Sequence, residues 1–340
     1  MAAMLIGATA CGDGRGATVT GQACAVARRL GFHVHLHLYW APRRIGVAPR
    51  PIEGTALLSL ALHIVSASGF GLGVKAAGLH KQDLIVVGGM NYILAAVLAA
   101  VWFVSRGSID IGWAGGAYGT LNGVVYFVAY FFLLFGIKHQ GIAATGAIVQ
   151  LSVLVPILAS IFLWMEYPTA MQLAGMTAAG ASIALLDARR NILGEVVGGL
   201  RWRLLAFFVL VGGSRLFAKA FAELHVPDEK AFYVFMVYAS SGVMSVVMLA
   251  RHGRMPTLVE TAWGAGIGAC NMIQVTFLLK ALEELPGVIV FPVSACAGLI
   301  LTAVVAVVLL RERPTRRLYL GIVASAIAVV LLNWQPAASP

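Results

Sequence analysis

The chain alternates long apolar segments with short polar ones, and this alternation is its dominant pattern. Ten of the apolar segments are long enough for an α-helix to cross the hydrocarbon core of a bilayer, which takes about 20 residues. They lie at 55–74, 84–104, 113–135, 141–164, 170–187, 203–221, 231–250, 261–281, 287–310 and 317–334. Most are joined by short loops, so the pattern predicts an all-α polytopic membrane protein with ten transmembrane helices.

The composition agrees with this pattern and excludes other classes of protein. Hydrophobic residues make up 60% of the chain and charged residues 11%, whereas soluble proteins are about 45–50% apolar and about 25% charged. A disordered chain would be less hydrophobic, and the four scattered cysteines are too few for a disulfide scaffold. The 38 glycines are spread through the apolar segments, which favours close packing of helices in lipid.

The first fifty residues differ from the rest of the chain. They hold six arginines against one aspartate and show no apolar helical face, so we expect residues 1–52 to be an N-terminal tail that is unstructured or not translated. No basic face with interleaved aromatic residues accompanies this charge, so nucleic acid is not an expected partner. His33, His35 and His37 would share one side of an extended strand. With no fourth ligand in view, the sequence predicts neither a metal site nor a cofactor.

An internal repeat divides the chain into two halves. Shifting the sequence by 146 residues aligns Gly141 with Gly287, Leu163 with Leu309, Glu166 with Glu312, Pro168 with Pro314, Thr169 with Thr315 and Gly175 with Gly321. We therefore predict one five-helix repeat over 53–190 and a second over 200–335. Because five is an odd number of spans, the second half enters the membrane the opposite way round, as in the inverted repeats of many secondary transporters.

The repeat residues also resemble a known family. Trp-Met-Glu-Tyr-Pro-Thr, ending at Thr169, and Arg-Glu-Arg-Pro-Thr, ending at Thr315, are similar to the EamA-type repeat of the drug/metabolite transporter superfamily. The resemblance covers roughly residues 55–335. It implies ten transmembrane helices, a central cavity between the halves and carriage of small metabolites or drugs across the cell membrane.

Two pairs of repeat residues are predicted to have structural roles at helix ends. Glu166 and Glu312 follow the fourth and ninth segments, where a carboxylate would cap the positive end of the next helix. Pro168 and Pro314 are expected in the first helical position, where a missing amide costs nothing. Two further prolines inside spans, Pro156 and Pro292, predict helix breaks or kinks that face protein or a cavity.

Ionisable residues at membrane depth are candidates for function. Arg215, Lys219 and Glu223 share one face of the sixth segment, and the last two can pair as an i,i+4 ion pair. Lys75 occupies the position in the first half that Lys219 occupies in the second. Together the cations would suit a carboxylate or phosphate, and the alternative is that both lysines extend to the membrane surface.

Uncharged polar residues complete the predicted substrate site. Asn122 and Asn271 match between the halves, within Gly-Thr-Leu-Asn and Gly-Ala-Cys-Asn, which places them near the pseudo-twofold axis. Their alternative role is hydrogen bonding between helices. The remaining candidates are Tyr92, Tyr126, Gln150 and Gln274.

Residues and motifs that the sequence lacks exclude further classes of function. No span carries a carboxylate near its centre, which disfavours lipophilic cations as substrates, and enzyme signatures such as His-Glu-x-x-His or Gly-x-Ser-x-Gly are missing. We therefore predict a secondary transporter of small polar metabolites, neutral or anionic, that works by alternating access and is not an enzyme. A flippase for a lipid-linked carrier, a drug exporter of the same superfamily and a non-transporting scaffold remain as alternatives. The expected partners are the substrate and the lipid bilayer, with a homodimer left open.

Overall fold

A computed structural model describes residues 54–106, 111–140, 142–187, 201–308 and 316–332. Within these ranges the chain forms eleven α-helices and no strand. The helices are α1 (Gly54–Leu79), α2 (Leu84–Ser105), α3 (Trp113–Gln140), α4 (Ile142–Leu151), α5 (Leu154–Leu163), α6 (Ala170–Asp187), α7 (Arg201–Glu223), α8 (Lys230–His252), α9 (Leu258–Glu284), α10 (Gly287–Val308) and α11 (Arg316–Leu332). The predicted tail, with its three histidines, lies outside the described residues, as do Glu312 and Pro314.

Six of these helices, α1, α2, α3, α7, α8 and α9, are long and apolar enough to cross a membrane. Large apolar side chains such as Leu58, Val101 and Val243 remain exposed on their outer faces, which is the arrangement that lipid favours. The all-helical prediction is confirmed, and the six helices indicate an integral membrane protein. A helix also occupies each of the other predicted segments, but the segment 141–164 contains two helices where the pattern predicted one.

Helix ends follow local sequence signals. Asp83 precedes α2, and its carboxylate accepts a hydrogen bond of 2.9 Å from the Ile85 amide. Thr257 and Glu260 form a capping box at the start of α9, in which each side chain accepts from the other residue's backbone amide. Gly253 ends α8 in the left-handed conformation, with φ of 78°, which glycine adopts without a steric penalty.

The helix α8 lies at the centre of the bundle, packed against both α2 and α3. Its residues Tyr233, Val234 and Val237 are fully buried. Around it α9 packs against α1 and α2, α7 packs against α3, and α11 packs against α6 and α10. The helices that carry the predicted substrate residues therefore meet in one core.

Glycines permit the closest of these approaches. A Cβ added at Gly119 of α3 would lie 2.7 Å from the Tyr233 carbonyl oxygen of α8. One added at Gly268 of α9 would lie 2.6 Å from the Asn91 carbonyl oxygen of α2. Both distances are shorter than any van der Waals contact, so only glycine fits at these two crossings. Small residues at helix crossings are typical of membrane bundles.

Candidate functional site

The fourth segment is a broken helix. The first part, α4, ends at Leu151, and α5 begins at Leu154. Pro156 is the third residue of α5, where a helical amide has no intrahelical acceptor. The predicted break at Pro156 is confirmed, because a continuous helix would bring the proline ring against the carbonyl of Ser152.

The break leaves one backbone carbonyl without its helical partner. The Val153 amide donates to the Gln150 carbonyl at 3.2 Å, so it does not reach Val149, its acceptor in a regular helix. The Val149 carbonyl instead accepts from the Ser152 hydroxyl at 2.6 Å and from Nη1 of Arg215 at 3.0 Å. Nη1 of Arg215 also donates to the Ser152 hydroxyl at 3.0 Å.

Arg215 therefore binds the carboxyl end of α4, where the helix dipole is negative and favours a cation. No carboxylate among the described residues forms an ion pair with it. Its Nε and Nη2 donors likewise have no hydrogen-bond partner in the described part of the chain. The guanidinium thus carries a positive charge with three of its five donors without a partner among the described residues, although it lies among the helices.

Polar groups from four helices are linked to this guanidinium, directly or through His63. His63 of α1 and Tyr126 of α3 are within electrostatic range of Arg215. Tyr126 also hydrogen-bonds the Ser214 side chain of α7. Nδ1 of His63 lies 2.8 Å from the Gln274 carbonyl of α9, and because a carbonyl only accepts, Nδ1 donates. We refer to Arg215, His63, Tyr126, Ser214 and Gln274 as the central polar set.

The members of the central polar set are only partly enclosed. Arg215, His63, Tyr126 and Gln274 each keep an intermediate exposed area, although they belong to α7, α1, α3 and α9. A small molecule entering between these helices would meet one cation together with hydroxyl and imidazole groups. The structure brings together Arg215 and Tyr126 as the sequence predicted and adds Ser214, whereas Gln274 is linked to them through the contact of its backbone carbonyl with His63.

The two predicted asparagines connect helices. Asn122 of α3 donates to the Tyr233 hydroxyl of α8 at 2.7 Å. The Asn271 side chain of α9 donates to the Asn91 side chain of α2 at 3.2 Å. The backbone carbonyl of Asn271 accepts from the Tyr238 hydroxyl at 2.5 Å. Both asparagines are fully buried, so this geometry agrees with the alternative role of hydrogen bonding between helices.

This asparagine network is not complete. Oδ1 of Asn122 and Nδ2 of Asn91 are buried and have no hydrogen-bond partner. The Gln274 side chain donates to Oδ1 of Asn271 at 2.8 Å, which joins the network to the central polar set. Substrate contact by Asn122 and Asn271 therefore stays a prediction. Within the network, the Asn122 Oδ1 acceptor and the Asn91 Nδ2 donor have no hydrogen-bond partner.

A second cation, Lys219, lies one helical turn from Arg215 and is buried. Lys219 is 1% exposed, and its ammonium donates to Glu166 at 2.5 Å and to Glu223. The other oxygen of Glu166 accepts from the Val288 amide at 3.2 Å. We refer to Lys219, Glu166, Glu223 and the Val288 amide as the Lys219 cluster. The i,i+4 pairing of Lys219 with Glu223 agrees with the sequence analysis. The ammonium that was predicted to bind substrate is bonded to the Glu166 and Glu223 carboxylates.

Glu166 caps a helix, but not the helix that the sequence predicted. Its carboxylate lies at the amino end of α10, whereas Thr169 and Gln172 cap α6 through reciprocal bonds of 2.9 and 3.3 Å. Met165, with φ of 53°, turns the chain back after α5, and this turn directs Glu166 away from α6. The cap at Thr169 also places Pro168 just before α6, so the prediction that Pro168 is the first helical residue is wrong.

The remaining candidates are Lys75, Tyr92 and Gln150, and none of them bonds Arg215. Lys75 is half-buried near the end of α1. The Tyr92 hydroxyl donates to the Tyr126 carbonyl at 2.9 Å, and this bond ties α2 to α3. Gln150 is half-buried in the last turn of α4, next to the break. Their roles in binding stay predictions.

Sequence reasoning missed Tyr233 and Tyr238, the tyrosines that bond the two asparagines. A buried tyrosine hydroxyl needs a hydrogen-bond partner, and two tyrosines inside an apolar segment are a signal that could have found them. Tyr238 also lies 147 residues after Asn91, close to the repeat spacing of 146.

At one set of helix ends, an ion cluster joins the start of α2, the end of α8 and the start of α9. Asp83 accepts from Nε2 of His252 at 3.0 Å and from Nη2 of Arg254 at 3.4 Å. Partial burial alone would raise the pKa of Asp83, but the amides of Ile85 and Val86 and the two basic side chains together lower it. Arg254 also bonds Glu260, which raises the pKa of Arg254.

Comparisons with known proteins support the fold alone. No family model and no curated protein matches the chain, whereas fourteen chains of solved structures match it. One of them, described only as "Crystal structure of protein", superposes with a TM-score of 0.65 at 17% sequence identity. The match covers 82% of this chain and 97% of the other, so the helical arrangement is one that a solved structure shares over nearly its whole length.

Proposed function

We propose that the protein is a secondary transporter of small polar metabolites, neutral or anionic, that works by alternating access. In this proposal ten transmembrane segments form two inverted halves, as the resemblance to EamA-type carriers of the drug/metabolite transporter superfamily implies. The protein resides in the cell membrane, and the halves rock about a site beside Arg215.

The helix packing supports the two-half arrangement. If the halves correspond, α2 matches α8 and α3 matches α9, so the contact of α8 with α3 has its counterpart in the contact of α9 with α2. The contact of α9 with α1 likewise corresponds to that of α3 with α7. Gly119 and Gly268, which the Gly-x-x-Asn segments pair between the halves, each lie at one of these corresponding crossings.

The broken fourth segment is the observation that carries the proposal. Discontinuous helices whose free backbone ends face the substrate are typical of secondary transporters, and substrate sites lie near the midplane where such helices break. Here the break at 152–153 is bound by Arg215 and lies within a bundle of apolar helices. A guanidinium at membrane depth is costly unless it pairs or serves a function.

Transport by the purified full-length chain in liposomes tests this proposal. Uptake of labelled amino acids, sugars, organic acids, nucleosides and lipophilic cations is measured against protein-free liposomes and against liposomes holding heat-denatured protein. We expect saturable, protein-dependent uptake of at least one polar solute. Uptake confined to lipophilic cations would contradict a polar substrate. Lipid scrambling without solute uptake would favour the flippase, and a blank result for both would favour the scaffold.

A further inference from the structure

The unused donors of Arg215 define a more specific chemistry than transport of polar solutes. Arginine carries five N–H donors in a planar fork. Nη1 directs its donors at the Val149 carbonyl and the Ser152 hydroxyl, both at 3.0 Å. These two bonds fix the plane of the guanidinium against the end of α4. The Nε and Nη2 side of the fork has no partner among the described residues, and it is the side that can bind two parallel acceptor atoms.

We propose that the transported molecule carries a single carboxylate, and that Nε and Nη2 of Arg215 bind this carboxylate in bidentate geometry beside the break in the fourth segment. The proposal rests on the proposed transport function and names its substrate class. Bidentate guanidinium–carboxylate pairs are among the stronger charge-assisted hydrogen bonds and are geometrically specific. A preformed fork, held by the protein on one side, loses less side-chain entropy on binding than a mobile one.

The charges near the site favour one carboxylate over two. The groups that contact or surround Arg215 are the Ser152, Ser214 and Tyr126 hydroxyls, the His63 imidazole and a backbone carbonyl. None of these groups is a second guanidinium or ammonium. The cation one turn away, Lys219, is bound by two carboxylates. A second negative charge on the substrate would therefore find no matching cation beside Arg215.

The same arrangement disfavours neutral and cationic ligands. A neutral amide offers the fork one oxygen and one NH₂ group, so one Arg215 donor would face another donor. The guanidinium would then lie among the helices without a counter-charge, which is costly at membrane depth. A cationic ligand would add repulsion to the same cost. Specificity for the anion thus follows from the groups that a wrong ligand leaves unpaired.

The first test uses matched ligands with the wild-type chain. The probes are aliphatic and aromatic monocarboxylates and the standard amino acids, each paired with its primary amide, together with succinate, glutarate and inorganic phosphate. Thermal stability in detergent and uptake into liposomes are measured for each. We expect at least one monocarboxylate to stabilise the protein and to be taken up, while its amide does neither.

Each other outcome of this test overturns the inference in a distinct way. Stabilisation and uptake of amides, dicarboxylates or phosphate alone would exclude a single-carboxylate substrate and leave the transport function standing. Uptake of sugars or nucleosides alone in the solute panel of the transport test above would do the same. Absence of both stabilisation and flux for every probe of the two panels would overturn the transport function together with the substrate class.

The second test uses variants of α7. Arg215→Lys keeps the charge and loses the fork, so we expect the concentration of monocarboxylate for half-maximal uptake to rise at least about tenfold, the loss of one charged hydrogen bond. Arg215→Gln should abolish the preference for the acid over its amide. The matched control is Arg203→Gln on the same helix, because Arg203 is exposed and stacks over the Phe135 ring at 4.5 Å.

The control and the charge-conserving variant keep this test decisive. If Arg215→Gln does not fold, Arg215→Lys still reports on the fork, and its folding is checked by thermal unfolding and size-exclusion chromatography. Arg203→Gln should keep the wild-type preference for the acid. Unchanged affinity and unchanged acid preference in folded Arg215→Lys would overturn the inference.

Discussion

The fourth segment, residues 142–163, and α10, residues 287–308, are counterparts in the predicted repeat and differ in continuity. Each contains one proline inside its apolar segment. In the fourth segment, residues 152–153 separate α4 from α5, and Pro156 lies in the first turn of α5. The helix α10 continues through Pro292. A proline alone therefore does not decide whether a membrane helix breaks.

The difference lies in what the neighbouring helix offers to the break. In α7, Arg215 supplies donors to the Val149 carbonyl. With the spacing that pairs Lys75 with Lys219, the counterpart of Arg215 in α1 is Gly71, which has no side chain to offer. Two halves with related sequences can thus produce one site rather than two, because a single residue of one helix stabilises the broken form of another.

The largest loss of stability is expected at the Lys219 cluster, where Glu166, which follows α5, bonds the Val288 amide of α10. Lys219→Met leaves Glu166 and Glu223 without their cation, and breaking a buried ion pair in this way costs about 3–5 kcal/mol. We expect a loss of this size in the free energy of unfolding, measured by denaturation in detergent. Lys280→Met is the control, because Lys280 is exposed on α9. Equal losses in the two variants would contradict a structural role for the Lys219 cluster.

Removing the guanidinium should destabilise the break itself. Arg215→Met deletes two bonds from a charged donor, which are worth about 1.5–3 kcal/mol each before relaxation. We expect a loss of about 2–4 kcal/mol and faster amide hydrogen exchange in α4, with exchange in α10 unchanged. The corresponding change at exposed Arg203 should cost about 0.5–1 kcal/mol, the value of a cation–π contact. Slow exchange in α4 of Arg215→Met would show that the break is stable without Arg215.

The equivalence of the halves is tested at their glycine crossings. Gly119→Ala and Gly268→Ala each place a Cβ against a backbone carbonyl, and such overpacking costs about 1–3 kcal/mol. Similar losses in thermal stability would support matched crossings. Gly213→Ala and Gly266→Ala are the controls, since a Cβ at either position meets nothing within 4 Å. A loss at only one of the two crossings would contradict the equivalence.

The two prolines should respond differently to the same substitution. Pro156→Ala restores an amide that can bond the Ser152 carbonyl, so we expect residues 151–156 to gain protection from hydrogen exchange with a stability change within about 1 kcal/mol. Pro292→Ala adds one amide to a helix that is already continuous and should change exchange only at its own position. Equal gains in protection over several residues would show that both segments are equally close to a break.

The smallest effect is expected outside both regions, at Asp83. Its pKa is lower in the folded protein than in the unfolded chain, so the carboxylate stabilises the fold above the ordinary carboxyl pKa of about 3.9, and this contribution is lost as the pH falls through the lower folded value. Asp83→Asn keeps a capping side chain and should lose about 0.5 kcal/mol at neutral pH. Wild type and variant should converge in thermal stability at acid pH, and a constant difference would contradict this origin.

Much of the candidate site could be predicted from its residues. Arg215, Gln274 and Tyr126 stand out because polar groups are rare in apolar segments and need a reason to be there. Pro156 predicted a break in its segment, but Pro292 predicted one equally and α10 is continuous, so the proline alone did not locate the break. The partner of Glu166 could not be predicted, because the αL turn at Met165 sends its carboxylate to α10. Local signals do not encode such a contact over 122 residues.

The sequence by itself determined the helical class and the six helices that are long and apolar enough to cross a membrane, because apolar length is a property of the chain, whereas the ten-helix repeat stays a prediction. Only the tertiary structure decided which buried polar and charged groups have hydrogen-bond or ion-pair partners. Lys219 and Arg215 are one turn apart on the same helix, yet two carboxylates bind the first while a backbone carbonyl binds the second. A buried charge takes the partners that neighbouring helices place within hydrogen-bond distance, and that placement depends on how the helices pack.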